Sequence, residues 1–171
     1  MKILFTKGTS PLSKLIRSVT EEPVSHVVLD FGWFVVHSNL RGLHMSWGPS
    51  FRAHTEIVFE LERTIGGQNL LDMGRLGRLL EKYEFSLYDF GALFFLGFSF
   101  AARKYLKLPL PKSNLWQATG MFLCTEWGSE FIEGEQDSMI TPYKLYQKLK
   151  STGEWRDCEK EGQGRPGQSD K

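Results

Sequence analysis

At 171 residues and 19.6 kDa the chain has the size of one domain, and with 41% hydrophobic residues it can build a core without disulfides or a structural metal. Its 21 basic and 20 acidic residues leave no basic excess, so nucleic acid is not expected as a partner. Only two cysteines are present, one of them (Cys158) in a hydrophilic stretch, which argues against a disulfide framework and suits a reducing compartment.

The opening Met1-Lys-Ile-Leu-Phe-Thr-Lys-Gly8 has too short an apolar run for a secretory signal, and a cytoplasmic location is expected. Residues 2–5 read as a strand. Ser10 and Pro11 then supply an N-cap and a first-turn proline for a helix to about Val19, with Leu12, Leu15, Ile16 and Val19 on one face. Glu21-Glu22-Pro23 ends it. Residues 24–31 form an apolar, β-branched strand, Gly32-Trp33 a turn, and residues 34–38 a second strand. A turn at 39–42 and an alternating strand at 43–47 complete an antiparallel meander, and a short turn at 48–50 leads to one more alternating strand at 55–61.

Residues 70–80 read as a helix with Leu71, Leu76, Leu79 and Leu80 inward, weakened by Gly74 and Gly77. The apolar segment 85–106 is expected to be buried or to wall a groove. Its most apolar window, 90–102, is about half the ~20 residues of a bilayer span and runs into Arg103-Lys104, so no transmembrane segment is expected. A proline-rich link at 108–114 precedes the helix that holds Cys124, and Thr141-Pro142 caps a last helix to about Leu149. The pattern is α+β: an antiparallel sheet packed against helices. One domain is expected over 1–155, and 156–171, with almost nothing to bury, is expected to be a disordered tail.

The stretch Met121-Phe-Leu-Cys-Thr-Glu-Trp-Gly-Ser-Glu-Phe131 places Cys124 in the first turn of a helix. Unpaired N–H groups there favour thiolate, the form a cysteine nucleophile needs; the plainer reading is a small buried apolar residue. A thiol nucleophile needs an imidazole to take its proton and a third group to orient that ring. His26 opens the first meander strand and His37 lies near the end of the next, so the turn between them can bring the rings close. His44 and His54 read as surface residues. A zinc site from His26, His37, His44 and Cys124 is chemically allowed but lacks any Cys-x-x-Cys or His-x-x-x-His spacing, so no metal is expected.

Together these residues resemble the circularly permuted members of the NlpC-like, papain-fold superfamily of cysteine peptidases and amidases. The resemblance rests on Ile16-Arg-Ser-Val-Thr20, Ser25-His26-Val27, His37, Tyr88-Asp89, Phe122-Leu-Cys-Thr-Glu126 and Thr141-Pro142-Tyr-Lys-Leu145, spanning roughly residues 1–155. It implies a papain-like sheet and helices with the catalytic cysteine at a helix N-terminus. It also implies Cys124 as nucleophile, His26 as base and His37 as its orienter. The Cys124 N–H would belong to the oxyanion hole, with Tyr88 or Asp89 lining the cleft; as a bland alternative, that pair caps and packs a helix. The activity implied is cleavage of an amide (peptide, cell-wall peptide or acyl amide) through a thioester, without a cofactor, in a bacterial or phage protein. Leu123 and Trp127-Gly128 depart from the family's usual residues and leave the substrate open. Two rivals stand beside this reading. One is a lipid-acting thiol acyltransferase or phospholipase, whose Asn-Cys-Glu-His signature is missing here; the other is a non-catalytic binding module of the same fold.

Overall fold

The computed structural model describes residues 1–39, 42–64, 69–83, 87–88, 90–109, 111, 121–122, 124–134, 137 and 139–158. The fold is α+β, built on a six-stranded antiparallel sheet. Its strands are β1 (Lys2–Lys7), β2 (His26–Asp30), β3 (Phe34–Asn39), β4 (Gly42–Trp47), β5 (Glu56–Arg63) and β8 (Trp155–Asp157), in the order β4-β3-β2-β1-β5-β8. The three consecutive strands β2, β3 and β4 pair as the expected meander, and β1 sits in the middle because its Ile3-Leu4-Phe5 run is apolar on both faces.

Strand alternation divides the molecule. Ile3, Phe5, Val27, Leu29, Val36 and Leu61 point to the face covered by α3 (Asn69–Tyr83), α5 (Cys124–Glu133) and α6 (Pro142–Ser151), where they pack with Leu76, Trp127, Phe131, Leu145 and Leu149. Leu4, Val28 and Val35 point the other way, against Phe51 of α2 (Gly48–His54) and Ile57. Asp30, on that second face, is almost wholly buried and accepts from Arg52 Nε at 2.7 Å and from Arg52 Nη2, while Arg52 Nη1 donates to Glu60 at 3.0 Å.

Both expected caps are present: Ser10 Oγ accepts from Ser13 N–H and opens α1 (Pro11–Thr20), and Thr141 Oγ1 accepts from Lys144 N–H and opens α6. The α1 face differs from expectation, with Leu15 half exposed and Ser13 buried, because Ser13 Oγ bonds Gly8 O and Ser25 Oγ and so draws its side of the helix inward. The short turn expected at 48–50 is instead the first turn of α2. Proline opens helices as readily as turns, and the Gly48 N–H bonds Trp33 O at 2.9 Å. Only glycine fits there: a Cβ on Gly48 would lie 2.3 Å from Gly32 O.

The domain boundary also moves. Residues 156–158, assigned by sequence to the tail, belong to the sheet: Arg156 and Asp157 pair with Glu62 and Leu61, and Cys158 N–H bonds Glu60 O at 2.9 Å. An edge strand this short is held by its backbone bonds and by Tyr146 Oη donating to Asp157 at 2.8 Å, neither of which an apolar pattern reveals. Residues 159–171 lie outside the described residues. Helix α4 (Phe90–Leu106) packs beside α1; Phe98, Tyr105 and Leu106 are exposed, and Phe100, Arg103 and Lys104 wall a groove, the second of the two placements expected for this segment. No helix among the described residues is long and apolar enough to cross a membrane.

Candidate active site

Cys124 is the first residue of α5. The chain reaches it through β7 (Met121–Phe122), which pairs in parallel with β6 (Leu87–Tyr88) so that Tyr88 is registered against Phe122, two residues before the cysteine. Tyr88 is thereby placed beside the approach to Cys124 by its backbone; Asp89 lies outside the described residues. Helix α5 comes close to β2 because Gly128 has no side chain, and a Cβ there would stand 3.4 Å from Val27 Cγ1. The helix is buried around most of its circumference, and Thr125, Glu126 and Ser129 are buried with Trp127 and Phe131.

Cys124 itself is 4% exposed, and its thiol donates to Ser25 O at 3.9 Å. The Val27 N–H also faces the sulfur. The thiol therefore lies against the backbone on both sides of His26. His26 and His37 are brought together as expected, edge to face with ring centroids 5.7 Å apart. By the alternation of β2 and β3, both imidazoles belong to the row that contains Val28 and Val35, not to the Val27 row under α5. His44 joins them. Read as a surface residue from sequence, it is paired with His37 across β3 and β4, with centroids 4.1 Å apart, and its Nδ1 lies 3.2 Å from Gly42 O. His37 also packs on Phe51 at 4.9 Å and shares a hydrogen bond with Ser46 Oγ at 3.0 Å. His54 stands apart at the exposed end of α2, bonded to Ser50 O. Among the described residues no group of three or more His, Cys, Asp or Glu side chains is arranged to hold a metal ion.

The electrostatics correct one expectation. Burial pushes the Cys124 thiol up to about 12, the Val27 N–H lowers it, the Glu126 carboxylate raises it further, and the N–H groups of Cys124 and Thr125 pull it back. The N-terminal amides thus act as expected but lose to desolvation. Burial also lowers His26 to about 4, with a smaller push from His44, and His37 to about 3, with smaller pushes from His26 and His44. At neutral pH the thiol and both imidazoles are therefore uncharged at rest.

Because the folded values of both histidines lie below the unfolded value, the unfolded chain takes up protons first as the pH falls. Their contribution is fully present above about pH 7 and is lost as pH drops from about 6.5 toward 4 for His26 and toward 3 for His37. Urea unfolding at pH 7 and pH 4.5 is expected to show a loss of about 5 kcal/mol from this source, and His37→Asn to remove roughly half of it. A pH dependence unaltered by His37→Asn would rule this out.

Two buried polar atoms, Ser38 Oγ and Trp127 Nε1, have no hydrogen-bond partner among the described residues. Ser38 falls in the Val36 row, and continuing the β2–β3 register by one step sets it across from Val27, on the thiol's side of the sheet. Sequence reasoning reads Trp127 as an apolar residue of the Cys124 helix and gives no polar role to its ring N–H, to Ser38 or to the buried Glu126. No protein-family model, curated protein or solved structure matches the chain.

Proposed function

We propose that the chain is a cysteine hydrolase of the papain-like, permuted NlpC-like kind, cleaving an amide in a peptide, cell-wall peptide or acyl amide through a thioester on Cys124. The observation that carries this reading is the seating of the Cys124 sulfur at the helix start, against the peptides on either side of His26, whose ring meets that of His37. In the reaction Sγ attacks the carbonyl carbon and its proton passes to His26. His26 returns that proton to the leaving amine as the C–N bond breaks. Water, deprotonated by His26, then cleaves the thioester and restores the thiol. The N–H of Cys124 stabilises the oxyanion.

With the thiol near 12 and His26 near 4, the proton leaves sulfur together with the attack and not before it. Access of water or substrate to the site moves both values back toward 9.0 and 6.5 and eases the transfer. Transfer requires the His26 ring to move from the Val28 row to the sulfur's side of the sheet, a change of backbone as well as side chain at the residue registered against Thr6.

The test is acylation of the protein by activated amide and ester probes. His26→Ala is expected to lose about 100-fold or more and His37→Ala about 10-fold. His37→Asn should recover part of the latter, since an amide oxygen still accepts from an imidazole N–H, and His54→Ala should react as the parent does. Full activity in His26→Ala would end the proposal.

A further inference from the structure

Ser38 is 1% exposed, yet its hydroxyl has no hydrogen-bond partner among the described residues. A buried hydroxyl that bonds nothing has given up its hydration without return, and such groups are uncommon in folded chains unless they are put to use. The place of Ser38 in the sheet shows where that use lies.

The Phe31 N–H bonds Phe34 O at 3.0 Å where the β2–β3 hairpin closes. Alternate residues of β2, Leu29 and Val27, therefore also aim their N–H groups at β3. Leu29 meets Val36 there. The next pair of this kind would be Val27 with Ser38, but the register ends at Val28 with His37, and the Val27 N–H faces the Cys124 sulfur instead. The thiol thus lies where the two strands part, in the position that the Ser38 backbone would otherwise fill. Ser38 continues β3 past that gap, paired with Leu43 of β4, and its side chain belongs to the Val36 row on the face that α5 covers. The start of α5 and an unpaired hydroxyl are accordingly on the same side of the sheet, at the gap that holds the sulfur.

Attack of Sγ on an amide carbonyl forms the C–S bond and moves the C=O π pair onto oxygen, which then needs donors next to the sulfur. The Cys124 N–H supplies one. A serine hydroxyl can rotate to supply another, adds no charge to a buried site, and gains in the transition state the bond it lacks at rest.

We infer that Ser38 is a catalytic residue of the Cys124 reaction, its Oγ–H donating, beside the Cys124 N–H, to the scissile carbonyl oxygen as that oxygen becomes an oxyanion. Ser38 keeps its proton throughout: collapse returns the electron pair to the carbonyl, breaks the C–N bond and sends the proton held by His26 out with the amine. The inference rests on the hydrolase reading and gives its oxyanion a second donor.

The test is the rate of acylation by an activated acyl anilide as a function of probe concentration, with the thermal midpoint of each variant measured alongside. Ser38→Ala is expected to lower the limiting rate about 100-fold while the half-saturating concentration stays within about threefold of the parent's. Its thermal midpoint should be unchanged or raised, because the substitution removes a hydroxyl that bonds nothing. Ser38→Thr keeps the hydroxyl and should stay within about tenfold of the parent rate. Four results would overturn the inference and leave Cys124 as the nucleophile: Ser38→Ala acylated at the parent rate, a loss confined to the half-saturating concentration, Ser38→Thr as slow as Ser38→Ala, or a lowered midpoint in Ser38→Ala, which would assign the hydroxyl to holding a buried water. A parent chain that is not acylated on Cys124 would overturn the hydrolase reading and this inference with it.

Discussion

Replacing Arg52 with alanine is expected to lower stability by about 3–5 kcal/mol, measured as the urea midpoint at pH 7. Asp30 is 2% exposed and lies on the second face of the sheet, where its carboxylate accepts from Arg52 Nε at 2.7 Å, from Arg52 Nη2 and from the Gly32 N–H at 2.6 Å. Removing the guanidinium leaves a buried carboxylate with one backbone donor, and the loss comes from that uncompensated charge more than from any intrinsic strength of the pair. The outer part of the network contributes little: Lys2 to Glu60 at 2.7 Å is a half-exposed pair that water screens. Two variants separate these terms. Lys2→Ala should cost less than ~1 kcal/mol, whereas the double change Asp30→Asn with Arg52→Met should recover much of what Arg52→Ala loses, since no charge is then buried. A loss below ~1 kcal/mol for Arg52→Ala would mean that water reaches Asp30 and that this face is less well sealed than its packing against Phe51 implies.

Alkylation of the resting protein should run opposite to the usual rule for a cysteine at a helix start. At pH 7 a thiol held near 12 is ionised to on the order of one part in 10⁵. Cys124 is also 4% exposed, so iodoacetamide has neither thiolate nor access. Cys158 is partly exposed at the sheet edge; its thiol too is raised, first by burial and then by the Glu60 carboxylate, but it meets solvent. Iodoacetamide is therefore expected to label Cys158 about 100-fold faster than Cys124 in the folded protein, and both at comparable rates in urea. Rapid labelling of Cys124 at pH 6 to 7 in the folded chain would show that the amides of α5 outweigh desolvation after all.

Much of the scaffold was legible in the sequence because it depends on local chemistry. Ser10 and Thr141 mark helix starts by their side-chain oxygens and the prolines that follow, and the β-branched run after Pro23 can only be a strand. The adjacency of His26 and His37 followed from the short turn at Gly32-Trp33. What escaped depends on depth and on partners far along the chain. Gly48-Pro49-Ser50 suits a turn and a helix start equally, and the choice between them is made by Gly48 packing against Gly32. Strand β8 has one buried residue, Trp155, and is held by backbone bonds to β5 that no pattern encodes. Leu15 and Phe98 are apolar in sequence yet exposed in the fold. The ionisation of Cys124 is not legible in the same way, because a sequence shows that a cysteine begins a helix but not that the Ser25 and Val27 backbone closes over it. The same limit applies to His44, which reads as a surface residue until the β3–β4 register sets it on His37.

Cys124, buried and protonated at rest, is the proposed acyl-accepting nucleophile. The most direct measurement is intact mass followed by peptide mapping after incubation with an activated acyl amide and, separately, an acyl ester. One acyl adduct per chain is expected, on Cys124, removed by hydroxylamine as a thioester is, and absent from Cys124→Ala and from His26→Ala. An adduct confined to Cys158 or to lysines, or one that persists in Cys124→Ala, would contradict it.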